Sequence, residues 1–358
     1  MKILSACRDR WVACGIAALC FGYFAAYVPY TMMTKMLTKG LFSGMNGVGF
    51  SGFEIQPVVV FASSISMYIF LTASRWWKYA THSKVFGISV PRPQWFTLVS
   101  GICLSGQIIT TTLAYTFEGV SIVFAMLLMR GGVLVLAPIV DVVARKRKRK
   151  IYWPSWVAAI LSFAALAESL FGRVGTEMTV VAICDISLYL FVYFFRLFFM
   201  SNRAKSDDLA EAKRYFTEEQ MVANILLFVI LFLVGLVGSV MPTESIPAKI
   251  WEGFVAFPFK GCFWQAFFIG VFSYGTGLFG SLIFLDKREN TFTVPANRSS
   301  SILAGMVSSY LLAIFYGQKY PPARELLGVS LILLAIFFLG YRAAMDRRAA
   351  KKKAQAQK

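Results

Sequence analysis

Two arginines lie inside long apolar stretches of the sequence, where a charged residue is rare. Arg130 lies within FAMLLMRGGVLVLAPI, residues 124–139, and Arg298 within FTVPANRSSSILAGMV, residues 292–307. An arginine at the centre of a bilayer costs from about 3 to more than 10 kcal/mol, so it faces a protein interior or a wet cavity. A guanidinium offers a planar pair of donors to a carboxylate or a phosphate. The two arginines therefore predict a binding site for an organic anion, with structural ion pairing as the alternative.

Polar side chains near these arginines extend the candidate site. Ser301 shares one face with Arg298 at helical spacing, and Asn297 lies beside it, so we expect this stripe to line a cavity. Gln107 and Tyr274, in two other apolar segments, are candidates for hydrogen bonds to a substrate. The alternative for such residues is hydrogen bonding between packed helices.

Two acidic residues within or near apolar segments are candidates for ion coupling. Asp185 lies in the middle of such a segment, where a carboxylate either binds a coupling proton or pairs with a cation. Glu168, near the end of the preceding segment, is interpreted as an ion-pair partner or a rim residue. Four tyrosines are interpreted as packing residues, with aromatic walls of a cavity as the alternative: Tyr27, Tyr30, Tyr189 and Tyr193.

The elements that must position these residues are membrane-spanning helices. The chain has 358 residues, of which 58% are hydrophobic and 15% charged, whereas soluble domains carry about 25% charged residues. We therefore predict an all-α integral membrane protein, in which each span needs about 20 apolar residues. The apolar segments predict ten transmembrane helices: roughly 11–35, 55–74, 94–115, 119–142, 153–171, 177–200, 221–241, 261–285, 291–315 and 324–343. The polar run 202–220 predicts a solvated, partly helical linker, with a regulatory docking site as the alternative.

The basic residues indicate orientation and partners. Most of the 36 Lys and Arg residues fall in loops on one side of the predicted spans, so both termini are predicted to be cytoplasmic. The net charge of +18 is explained in this way, without a nucleic-acid partner. The expected partners are a small-molecule substrate and membrane lipids, and assembly as a homodimer stays open. We expect a bacterial inner membrane, with a eukaryotic endomembrane as the alternative.

The residues that most enzymes and metal sites need are scarce. The single histidine is His82, and the six cysteines include no CxxC pair. No catalytic motif accompanies them, so we predict neither an enzyme nor a metal site nor a cofactor.

The two halves of the chain resemble each other at a fixed offset. Arg298 lies 168 positions after Arg130, and the same offset pairs Tyr152 with Tyr320 and Pro154 with Pro322. This pattern predicts an internal duplication with halves 1–172 and 173–358. Five spans per half is an odd number, so the second half is predicted to be inverted, with a substrate site between the halves.

This organisation resembles the drug/metabolite transporter superfamily. The resemblance rests on the five-plus-five inverted repeat and on the pattern of Pro-containing linker and small-residue span in 154–172 and 322–340. In addition, Leu128-Met129-Arg130-Gly131 is similar to a motif of its chloroquine-resistance-transporter-like and nucleotide-sugar-transporter-like branch, which is related to EamA-like members. The resemblance implies secondary transport of a small polar, anionic solute by alternating access. A lipid-linked sugar flippase or scramblase, or a membrane scaffold, is the alternative.

Overall fold

The computed structural model describes residues 15–85, 88–114, 122–144, 153–171, 180–205, 208–318 and 320, with scattered positions from 327 to 345. The side chains of the helices given next are described except at 112–114, 122–128, 130–131, 165–166, 168–171 and 180–182. The helices are α1 Ile16–Thr38, α2 Gly52–Ala73, α3 Trp95–Ala114, α4 Ile122–Val143, α5 Trp153–Phe171, α6 Val180–Phe199, α7 Leu209–Gly238, α8 Ile246–Val255, α9 Phe263–Leu285 and α10 Asn290–Tyr316. The strands β1 His82–Val85 and β2 Ile88–Pro91 form one antiparallel hairpin.

The helices are those of a multi-pass membrane protein. Among the described residues, six helices are long and apolar enough to cross a membrane: Ile16–Thr38, Gly52–Ala73, Ile183–Ala204, Leu209–Gly238, Phe263–Leu285 and Asn290–Tyr316. Three shorter apolar stretches lie in α3, α4 and α5. Many large apolar side chains face outward, including Ile69, Phe191 and Leu233, as a lipid-facing surface requires. The all-α membrane class is confirmed, whereas these six helices do not establish the predicted count of ten.

The long helices pack in a regular set of pairs. Helix α1 packs against α9 and α10, and α2 packs against α9. In a second group of helices, α6 packs against α3 and α4, and α7 packs against α3. Two further contacts, α2 with α7 and α4 with α10, join the two groups. The candidate site lies where these groups meet.

Glycines allow the closest of these contacts. A Cβ at Gly270 of α9 would lie 2.3 Å from the Val59 carbonyl oxygen of α2, and one at Gly253 of α8 would lie 2.3 Å from the Glu54 carbonyl oxygen. Since real Cβ atoms do not approach oxygen so closely, these helices can pack at this distance only with glycine. The contacts position the face of α2 that leads into the cavity.

The segment 202–220 is partly helical, as predicted, but its second half is not solvated. One π-helical turn, Met200–Ala204, follows α6, and α7 then begins at Leu209 with Asp208 as its N-cap. The first turn of α7 is exposed or half-buried, whereas residues 215–220 are buried, and the relative exposure of Glu218 and Glu219 is 0%. Glu218 accepts hydrogen bonds from the backbone N–H groups of Thr81 and Gln94, at 2.9 and 3.0 Å, so it fixes both ends of the β-hairpin. The charges of this segment are therefore used internally.

Candidate functional site

A cavity of about 270 Å³ lies among α1, α2, α3, α4, α6, α7, α9 and α10. Its wall extends from Gln56, near the start of α2, to Phe284, near the end of α9. Because Gly270 of α9 lies against the middle of α2, these two helices run side by side along the cavity. The cavity therefore occupies the middle of the helix bundle.

Arg298 is the least compensated cation in the wall of this cavity. Its side chain is buried, and it donates a hydrogen bond to the hydroxyl oxygen of Tyr193. The guanidinium carbon lies 5.1 Å from the centre of the Tyr193 ring, and the Nε–H has no hydrogen-bond partner. Among the described residues, no carboxylate lies within ion-pair distance of it. A buried positive charge whose neighbours are neutral leaves a strong preference for an anion.

Arg196 of α6, by contrast, is neutralised. Its Nε and Nη2 each donate to one carboxylate oxygen of Glu219, both at 2.9 Å. Nη2 also donates to Ser281 at 2.9 Å, and Nη1 donates to the Gln107 side-chain oxygen at 3.3 Å. Glu219 accepts a further short hydrogen bond from Ser100. Arg196 reaches the cavity wall, but its charge is cancelled by this bidentate pair.

Three more buried side chains at the cavity have donor atoms for which the described part of the chain supplies no partner. They are the Nε2 of Gln107, the hydroxyl of Tyr274 and the Nδ2 of Asn297. The orientation of the Gln107 amide follows from its neighbour, since its oxygen faces the Arg196 guanidinium. Buried polar atoms without hydrogen bonds are rare and costly, and a cluster of them indicates a missing ligand or solvent. These atoms are donors, so they suit a ligand rich in acceptor oxygens.

The structure brings four of the predicted site residues to this one cavity: Arg298, Asn297, Gln107 and Tyr274. Ser301 is buried but is not part of the wall, because its hydroxyl bonds the Arg298 carbonyl oxygen one turn back, at 2.8 Å. Arg130 lies within α4, and its neighbour Met129 lines the cavity, but the Arg130 side chain lies outside the described residues.

The two predicted acidic residues lie elsewhere. Asp185 is buried in α6 and is not part of the cavity wall. Both of its carboxylate oxygens lack a hydrogen-bond partner among the described residues. Glu168 lies within α5, and its side chain is outside the described residues.

Sequence reasoning missed two features of the site. The Arg196–Glu219 pair was not predicted, because Glu219 belongs to the segment interpreted as a linker. The second is Tyr23 of α1, which the sequence analysis did not single out. It lines the cavity together with the four tyrosines that were interpreted as packing residues with aromatic walls as the alternative: Tyr27, Tyr30, Tyr189 and Tyr193. A signal existed, because the three on α1 share one helix face by their spacing of four and three residues.

Polar clusters lie near both ends of the cavity-lining helices. At the start of α2, Lys260 donates to Glu54 at 2.6 Å and to Glu252 at 2.7 Å. Burial alone would lower the pKa of Lys260, but the two carboxylates outweigh it and raise this pKa. Lys260 therefore stays charged and joins α2 to the segment that follows α8.

At the junction of α9 and α10, the fully buried Lys205 donates to the Asn290 side chain at 2.8 Å and to Thr293 at 3.2 Å. Asp141 accepts from the backbone N–H groups of Asn290 and Thr291, at 2.9 and 2.7 Å, and so caps the start of α10. Helices α4, α6 and α10 are thereby tied together where the helix that carries Arg298 begins.

Comparisons with known proteins leave the family open. No family model and no curated protein sequence matches the chain. One solved structure, described only as the crystal structure of a protein, aligns with 90% of this chain and 95% of its own, at 14% identity and a TM-score of 0.45. A likeness at that score carries no argument. The conclusions about function therefore rest on the cavity and its residues.

Proposed function

We propose that this protein is a secondary transporter that moves a small organic anion across a membrane. The observation that carries the proposal is Arg298, a buried cation at a central cavity whose recorded hydrogen-bond partner is the neutral Tyr193. The donors of Gln107, Tyr274 and Asn297 around the same cavity are also free to bind acceptor oxygens. A carboxylate or phosphate at Arg298 would satisfy the charge and these donors together.

The proposed architecture is ten spans in two inverted halves, as in the drug/metabolite transporter superfamily. Helix starts support the duplication. The distance from Arg130 to Arg298 is 168 positions, and the same shift carries Trp95, the first residue of α3, to Phe263, the first of α9. It also carries Ile122, the first residue of α4, to Asn290, the first of α10.

Helix packing supports the same correspondence. Under this shift α1 corresponds to α6, α2 to α7, α3 to α9 and α4 to α10. The contact of α1 with α9 then corresponds to that of α6 with α3, and the contact of α2 with α9 to that of α7 with α3. The contacts of α2 with α7 and of α4 with α10 correspond to themselves, as contacts across a pseudo-twofold axis must. A cavity on such an axis is the expected place for alternating access.

The cavity favours a small solute over a lipid-linked sugar. Its volume of about 270 Å³ lies just below the range of about 300 to 1,000 Å³ that is typical for drug-sized ligands. The wall also includes more polar and aromatic groups than an acyl chain would need. We therefore favour transport of a small anion over a flippase or scramblase activity.

The test is substitution of Arg298 in purified protein and in proteoliposomes. A panel of carboxylates and phosphorylated metabolites is screened for thermal stabilisation, because a ligand of the native state raises its stability by mass action. A buried charge-assisted hydrogen bond contributes about 1.5 to 3 kcal/mol, so we expect Arg298→Ala to weaken anion binding by roughly tenfold to a hundredfold and to abolish flux. Lys249→Ala, at a partly exposed site that is not part of the cavity wall, is the matched control. Normal anion flux through Arg298→Ala would refute the proposal.

Asp185 is the proposed coupling residue. A buried carboxylate with no described hydrogen-bond partner is costly, and its retention inside a membrane helix favours a functional role. If it binds the coupling proton, Asp185→Asn should abolish uptake driven by a proton gradient while preserving exchange of labelled for unlabelled solute. Unchanged gradient-driven uptake by the variant would exclude this role.

A further inference from the structure

Tyrosine rings from two helices form aromatic walls of the cavity. Tyr23, Tyr27 and Tyr30 follow one face of α1, and the first two rings stack with centres 5.5 Å apart. Tyr189 and Tyr193 follow one face of α6, with centres 5.3 Å apart. Both pairs lie near the guanidinium of Arg298. The cavity therefore has an aromatic lining beside the cation of Arg298.

We propose that the solute is an aromatic monocarboxylate, whose ring lies between the tyrosine walls and whose carboxylate binds Arg298. This inference rests on the proposed function and names the substrate class for the same cavity. Aromatic rings prefer stacked or edge-to-face contact with other rings, and such pairs gain affinity beyond the apolar area that they bury. A tyrosine combines such a ring with a hydroxyl that can donate or accept a hydrogen bond.

The charge of the cavity wall favours a single negative charge on the solute. Arg196 is cancelled by Glu219, so Arg298 leaves one net positive charge among the described lining residues. A monoanion balances this charge, whereas a dianion would leave one buried negative charge without a partner. An aromatic cation is disfavoured, because no unpaired carboxylate is found among the described residues of the wall.

The size of the cavity agrees with one ring and a short acid chain. A dry cavity of about 150 Å³ accommodates benzene, and this cavity of about 270 Å³ is larger by roughly the space of a few more heavy atoms. The donors of Asn297, Gln107 and Tyr274 are available for the second carboxylate oxygen or for a polar substituent on the ring.

The experiment measures binding of four matched probes to the full-length purified protein by calorimetry. The probes are 3-phenylpropionate, 3-cyclohexylpropionate, 3-phenylpropionamide and phenethylammonium. We expect 3-phenylpropionate to bind about three to ten times more tightly than its cyclohexyl analogue, which has the same charge and a similar size but no aromatic ring. The neutral amide and the cation should bind at least tenfold more weakly.

Substitutions of Tyr27 locate the effect. Tyr27→Leu should remove most of the preference for phenyl over cyclohexyl, and Tyr27→Phe should restore it, because the ring remains. Tyr68→Leu, at a half-exposed tyrosine that stacks on Trp77 outside the cavity, is the matched control. Tyr193 is less suitable for this purpose, since its hydroxyl also bonds Arg298.

The outcomes separate the two proposals. Equal affinities for the phenyl and cyclohexyl acids, both lost in Arg298→Ala, would overturn the aromatic inference and leave anion transport standing. Equal affinities for the phenyl acid and its amide would overturn the anion proposal itself. If neither acid binds at millimolar concentration while another anion binds in an Arg298-dependent way, the aromatic inference alone is wrong.

Discussion

Replacing Glu219 with glutamine should be among the most destabilising single substitutions in this protein. The Glu219 side chain is 0% exposed, and that of Arg196 is 4% exposed. Two hydrogen bonds of 2.9 Å join them. Glu219→Gln keeps the shape but removes the negative charge, so the Arg196 guanidinium is left buried with only neutral acceptors. Breaking a buried pair in this way costs about 3 to 5 kcal/mol.

The assay is equilibrium unfolding in detergent micelles, followed by tryptophan fluorescence. The double variant Arg196→Met/Glu219→Gln removes both charges and should lose less stability than the sum of the single variants. Replacing a buried ion pair with uncharged residues is often close to neutral. This comparison separates the charge effect from a simple loss of packing.

The exposed pair of Lys249 and Glu244 is the matched control. Their charged groups lie 3.6 Å apart, and the Glu244 side chain is 93% exposed. Solvent screens such a pair, so Glu244→Gln should change the free energy of unfolding by less than about 1 kcal/mol. The reasoning is refuted if Glu219→Gln costs no more than this control, or if the losses of the two single variants simply add in the double variant.

Four further substitutions, of which Gly305→Ala is a control, test contacts in the regions that position the site. Glu218→Gln removes the charged acceptor that fixes the β-hairpin, so we expect a loss of about 1 to 3 kcal/mol and faster trypsin cleavage in the hairpin. Gly270→Ala should cost about 1 to 3 kcal/mol because it separates α2 from α9, whereas Gly305→Ala, which meets no atom within 4 Å, should be neutral or gain about 0.5 to 1 kcal/mol. Burial would raise the pKa of Asp286, but hydrogen bonds from Arg288 outweigh it and lower this pKa below the ordinary value of 3.8. The ionised Asp286 carboxylate therefore stabilises the fold above pH 3.8, and this stabilisation is lost as the pH falls below that value. In a pH series of thermal unfolding, Asp286→Asn should not show this loss of stability.

Each of these expectations has a contrary result. Unchanged proteolysis of Glu218→Gln would mean that the hairpin is held by other contacts. Equal stability of Gly270→Ala and Gly305→Ala would show that the helix contact relaxes without cost. If the wild type and Asp286→Asn lose the same stability at acid pH, the contact of Asp286 with Arg288 is not the source of that loss.

The length and apolar composition of the segments were sufficient to predict the membrane class and, among the described residues, the approximate places of helices α1 to α7, α9 and α10. The sequence was also sufficient to predict four residues of the cavity wall, because a polar side chain inside an apolar helix must face something polar. Arg298 and Gln107 were identified by this argument. Their shared location required only that the helices pack around a common centre.

The same reasoning failed where polar residues pair with each other. Glu218 and Glu219 lie in a run of charged residues, and local charge density gives no indication that both are fully buried. Their partners lie more than 20 positions away in the sequence, in Arg196 and in the backbone of the hairpin. A continuous helical pattern from Leu209 into the apolar segment was the available signal, because a helix that enters the bundle carries its later turns inward. Packing was the preferred interpretation of the tyrosines for a related reason, since an aromatic face looks the same whether it meets a neighbouring helix or a cavity.

The contrast between Arg196 and Arg298 explains why stability and binding should change in opposite directions at Arg298. Arg196 is stabilised in the empty protein by Glu219, whereas Arg298 has no carboxylate partner among the described residues and lies against the dipole and ring of Tyr193. An uncompensated buried charge makes the empty state less stable, and an anion that binds there relieves the cost. Arg298→Met should therefore raise the unfolding temperature of the empty protein while removing the rise that an added organic anion causes in the wild type. A structural arginine would give the reverse, a lower unfolding temperature with the response to anions intact.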